Sequence, residues 1–165
     1  MRHIKQHRHP EHSAASRLRF RIEPWQRRMI YLCITALVAS GSAWLVGHFL
    51  LHSATEFGEA SNPWAPWAMK VHGAVAMVAL FFVGSLLNGH MRRAHALRRN
   101  HWSGWSMVAF WGWLTVSGYA LYYIAGEQSR SLWSIGHWVP GLLLPLLILV
   151  HIVLGRRRAR IAPQH

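Results

Sequence analysis

The sequence predicts an all-α fold, an integral membrane, up-down four-helix bundle, and three observations predict it. Of its 165 residues, 52% are hydrophobic and only 14% are charged. The apolar residues gather into four runs of about 23 residues, each long enough to cross a hydrocarbon core of ~30 Å. The basic residues lie almost wholly outside those runs, in three blocks at Met1–Arg28, Met91–His101 and Arg156–Arg160.

Taken in order, residues 1–28 form a polar, basic N-terminal tail, with His3, His7, His9 and His12 interleaved among Lys and Arg. A Pro-interrupted tract of this kind reads as a disordered cytoplasmic tail before it reads as a metal site. The transmembrane domain covers 29–155. Its first span, Met29–Leu51, is longer than the apolar core of a secretory signal and starts far from Met1, so it reads as a retained span. Ala39, Ala43 and Gly47 give it a small-residue stripe suited to helix packing. Residues 52–66 are a polar loop carrying Glu56 and Glu59 and no Lys or Arg. The second span, Trp67–Gly89, is followed by a loop with Arg92, Arg93, Arg98 and Arg99. The third, Trp102–Ile124, ends in Tyr119, Tyr122 and Tyr123. The fourth, Leu132–Leu154, contains Pro140 and Pro145, where kinks are expected. A basic tail, 156–165, closes the chain.

Charge sets the expected topology. Of the 18 Lys and Arg residues, only Lys70 and Arg130 fall on the side of the 52–66 loop. Both termini are therefore expected in the cytoplasm, in a bacterial inner membrane, with Trp and Tyr at the span ends as interfacial anchors. A formal net charge of +13 raises nucleic acid as a partner. Basic blocks that only flank apolar spans argue against it and for the lipid bilayer. Cys33 is the only cysteine, which excludes an intramolecular disulfide and a thiolate metal cluster, and there is no C-x-x-C-H motif for covalent haem.

Chemistry is carried by histidine. His72 and His90 bracket the second span, and His137 and His151 bracket the fourth. An ionisable side chain at membrane depth is by default functional. Eighteen residues make a whole number of helical turns and fourteen fall about 40° short of one, so each pair shares one helix face. In an up-down bundle, helices two and four face each other across a diagonal, where bundles build cofactor sites. Two faces with an imidazole near each end make room for two stacked planar cofactors, read as haem b: His72 with His137 at the outer level, His90 with His151 at the inner one. Bis-His ligation suits a six-coordinate haem that transfers electrons. Lys70 and Arg130 are candidates for the outer propionates, and Arg92 and Arg93 for the inner ones. Gly73, Gly84, Gly89, Gly136, Gly141 and Gly155 offer space near the ligands. The ligand separations differ, about 27 Å on span two against about 21 Å on span four, which leaves one haem as an alternative to two. His48 is a substitute ligand for the outer site, while His52, His95 and His101 read as surface residues.

At these residues the chain resembles the bacterial four-helix cytochrome b superfamily, which includes the membrane subunits of nickel hydrogenases and formate dehydrogenases and smaller relatives. The resemblance covers Trp67–Arg158, through KVHG at 70–73, GHMRR at 89–93, SGYALYY at 117–123, and His137 paired with His151. The eighteen-residue spacing in span two departs from the pattern. The resemblance implies electron transfer between a redox partner protein and quinone or a soluble cytochrome, as a subunit of an oxidoreductase more than as an enzyme by itself. Two readings compete with it: a metal-transport or metal-handling protein with labile histidine ligands, and a structural anchor or assembly factor whose histidines only bond between helices.

Overall fold

The computed structural model describes residues 22–55, 58–87, 91 and 101–161. Four long helices account for most of them: α1 (Pro24–Phe49), α2 (Ala65–Leu86), α3 (His101–Tyr123) and α4 (Glu127–Ile161). Each lies within a few residues of an expected span, except that α4 runs well past both ends of its apolar run. Between α1 and α2, where a polar loop is expected, the described residues include two short strands. Strands β1 (His52–Thr55) and β2 (Gly58–Ser61) pair antiparallel, His52 opposite Ser61 and Thr55 opposite Gly58.

Local chemistry explains the boundaries. Pro24 opens α1 and Pro66 lies in the first turn of α2, positions where a missing N–H costs nothing and a fixed φ favours the helix. The Leu50 and Leu51 amides both bond the Val46 carbonyl as α1 ends, and those of Ile124 and Ala125 both bond the Ala120 carbonyl as α3 ends. Glu127 starts α4, where a carboxylate meets the positive end of the helix dipole.

Pro140 and Pro145 both lie inside α4. Pro140 has no N–H to give the Gly136 carbonyl four residues back. The Trp113 indole N–H of α3 donates to that carbonyl at 2.7 Å, so a neighbouring helix supplies the missing donor.

The helices pack as two antiparallel hairpins, α1 with α2 and α3 with α4. In the first, Cys33, Ala79 and Phe82 form a small core, with Met29, Ile30, Leu37, Val75 and Trp111 against it. Gly47 is buried under Trp64 and Ala65, so part of the small-residue stripe is used inside this hairpin. In the second, Trp113 stacks on Trp133 at 6.2 Å, beside buried Ser117 and Ala120.

What is buried is mostly small, and what is exposed is large and apolar. Met77, Phe81 and Leu132 are each more than 70% exposed. In water that distribution would be a severe aggregation hazard. Helices α1, α2 and α4 are long and apolar enough to cross a membrane. Helix α3 is of similar length, but its apolar residues are diluted by serine, threonine and glycine.

Candidate functional site

The site is built where the two hairpins meet. His72 of α2 and His137 of α4 face each other with ring centroids 6.2 Å apart and planes at 77°. These were the two residues predicted to share an outer site, and the fold brings them together from 65 positions apart in the chain.

Each ring is held from behind by the first helix of its own hairpin. Nδ1 of His72 lies 3.1 Å from the Leu37 carbonyl and 3.1 Å from Ser40 Oγ. Nδ1 of His137 lies 2.9 Å from Ser117 Oγ. The Leu37 carbonyl can only accept, so Nδ1 of His72 carries the hydrogen and Nε2, on the opposite edge of the ring, is the unprotonated nitrogen. Ser40 is within 2.7 Å of the Ala36 carbonyl, which takes its hydroxyl proton and leaves its oxygen to accept. Ser117 stands 3.3 Å from the Leu114 carbonyl and 2.9 Å from Nδ1 of His137, a contact that either tautomer of that ring can make. Neither Nε2 has a hydrogen-bond partner among the described residues.

That arrangement has a specific chemical use. A histidine that binds a metal through one nitrogen usually donates its other N–H to a carbonyl or hydroxyl, which fixes the ring and raises its basicity. Two imidazoles bonded to one metal at about 2 Å, each ring centre about 1.1 Å behind its nitrogen, stand about 6 Å apart. The observed separation of 6.2 Å is one that two imidazoles holding a single metal would have. Among the described residues no three His, Cys, Asp or Glu side chains converge. The set therefore suits a group that brings its own equatorial donors, as a porphyrin does, better than a bare ion, which needs a fuller cage.

Two further glycines lie against the histidine rings. A Cβ on Gly41 would stand 3.3 Å from Cε1 of His72, and one on Gly118 would stand 3.2 Å from Cε1 of His137. Gly73 and Gly84 face open space, while Gly136 and Gly141 lie near Trp113 and Leu114. Close approach of the two histidine rings to the supporting helices thus depends on Gly41 and Gly118. Sequence reasoning missed these two and both serines. A signal was present: Leu37–Gly41 reads LVASG and Leu114–Gly118 reads LTVSG.

The remaining candidates are distributed as follows. Nδ1 of His151, at the far end of α4's apolar run, lies 3.2 Å from Ser103 Oγ of α3. His90, its expected partner, lies outside the described residues, as do Gly89, Arg92, Arg93 and His95. Arg130 is seven residues before His137, two turns along the same face of α4, and is exposed. Lys70 is two residues from His72, about 160° around α2, with its ammonium 4.3 Å above the Trp67 ring. His48 stacks on Trp44 at 4.7 Å, eight residues from Ser40, so the fold does not bring it to the histidine pair. Compared with known protein families, curated proteins and solved structures, the chain shows no match.

Proposed function

We propose that this protein is a membrane haem b electron-transfer protein or subunit. His72 and His137 would hold an outer haem, and His151 with His90 an inner one. The observation that carries the reading is the His72–His137 pair, spaced for a shared metal, with both Nδ1 atoms engaged and neither Nε2 bonded to any of the described residues. When bound, haem supplies reversible one-electron chemistry at iron; the protein's part is to hold, orient and shield it. Arg130 is well placed for an outer propionate, and Lys70, on another face of α2, less so.

The membrane setting has its own support. Large apolar side chains cover the outside of the helices, as lipid contact requires. Helix α3 is proposed as the fourth span because its polar side chains are satisfied internally. Ser106 bonds the Ser103 carbonyl, Thr115 the Trp111 carbonyl and Ser117 the Leu114 carbonyl, which removes most of the penalty for hydroxyls in hydrocarbon. Trp111, six residues from Ser117 toward the start of α3, packs against the cluster of Cys33, Ala79 and Phe82, whose α2 members lie two to three turns from His72. That supports an up-down bundle with both hairpins upright side by side. The distribution of the basic blocks supports a bacterial inner membrane protein with both termini on the cytoplasmic side. A redox partner protein is the expected donor or acceptor, with quinone or a soluble cytochrome at the other end.

The test is a dithionite-reduced minus oxidised spectrum of the detergent-purified protein from haem-replete cells, with pyridine haemochrome quantitation. Sharp b-type bands at about two haems per chain are expected. One haem per chain would remove the inner site. No haem would overturn the reading in favour of metal handling or a structural anchor.

A further inference from the structure

Every Ser-Gly dipeptide in the chain backs one spanning histidine. There are three: Ser40-Gly41, Ser103-Gly104 and Ser117-Gly118. Their hydroxyls lie 3.1, 3.2 and 2.9 Å from Nδ1 of His72, His151 and His137. In each case the serine is on the first helix of a hairpin and the histidine on the second. Ser103 and Ser117 are 14 residues apart, as are His137 and His151, so in the second hairpin the two contacts recur at matching levels of an antiparallel pair.

We propose that Ser40 and Ser117 are positioning residues that hold His72 and His137 as Nδ1–H tautomers with Nε2 turned to the shared ligand. The inference rests on the haem reading for its functional consequence, though not for its geometry. Serine inside a helix ordinarily does no more than bond its own backbone, as Ser85 does with the Phe82 carbonyl at 2.7 Å. Ser40 and Ser117 do this and also present a lone pair to a facing histidine. Glycine at the next position lets the ring lie against the helix. Glycine alone would give the ring room and leave its rotation free; serine alone would offer the acceptor and keep the ring too distant to use it. An acceptor on Nδ1–H makes an imidazole a stronger donor through Nε2. A stronger donor favours the oxidised metal and lowers its potential.

The experiment compares the full-length protein with its Ser117→Ala, Ser40→Ala and Ser117→Cys variants, with Ser85→Ala as the control. The readouts are haem content, midpoint potential and the low-spin electron paramagnetic resonance spectrum. Each Ala variant should retain haem while its potential rises and its g-values move. Ser117→Cys, with a weaker acceptor of similar shape, should fall between Ala and the native protein, and Ser85→Ala should match the native protein. Unchanged potentials and g-values in both Ala variants would overturn the proposal. Absence of haem from the native protein would overturn the haem reading instead. The ¹⁵N imidazole shifts of the haem-free protein then decide: Nδ1–H at His137 in the native chain with Nε2–H appearing in Ser117→Ala supports positioning, and an identical His137 tautomer in both refutes it.

Discussion

At the scale of single residues, the site is two imidazoles and what fixes them. Replacing His72 or His137 with Leu should lower haem content by about one per chain, because a lost axial bond leaves packing alone to retain the group. Under the proposed function, protonation of Nε2 competes directly with iron. Acidification should therefore release haem, ligation being intact at neutral pH and lost as pH falls. A pH titration of the reduced b-type band checks this, and a band unaltered into strongly acid solution would argue against simple bis-His ligation. Glycine at the ring faces gives a steric test. Gly118→Ala puts a Cβ 3.2 Å from a ring carbon whose Nδ1 is tethered at 2.9 Å. Overpacking of this kind costs about 1–3 kcal/mol. Gly84→Ala meets nothing within 4 Å and should gain up to about 1 kcal/mol from helix propensity. Thermal melts of the two variants in the same detergent should move in opposite directions.

At the scale of helices, α4 is the most informative. Two prolines within one helix read, from sequence, as kinks, and what sequence cannot show is who supplies the donor they remove. Trp113 does so for Gly136, next door to a ligand. Trp113→Phe should cost about 1–3 kcal/mol by leaving a carbonyl unsatisfied. In a Pro140→Ala background the restored N–H takes over, and the cost of Trp113→Phe should shrink. A double-mutant cycle on thermal stability measures the coupling. The same contrast runs through the whole chain. The four helices were legible because length, apolarity and flanking charge are local properties. His72 and His137 were legible as a pair because spans two and four run in the same direction in an up-down bundle, which puts both residues at the outer level of facing helices. Gly41, Gly118, Ser40 and Ser117 were not, because their meaning depends on which helix packs on which. The β1–β2 pairing was also hidden: a short polar segment with glutamates, serines and glycine carries little strand signal until its ends are fixed by two helices.

At the scale of the molecule, charge asymmetry predicts orientation. Reporter fusions at either terminus should be active only as cytoplasmic reporters, and fusions within 52–66 only as external ones. Architecture predicts something about biogenesis as well. Packing is closest within each helical hairpin, and the histidine pair sits on the seam between them, one ligand from each side. A group gripped by both would work as a rivet between two separately inserted halves. Binding that favours the joined state stabilises it by mass action. The chain cut between α2 and α3 and produced as two pieces should therefore reassemble, and co-purify, in cells supplied with haem. In haem-starved cells the same pieces should drift apart in the bilayer, each a stable hairpin with half a binding site.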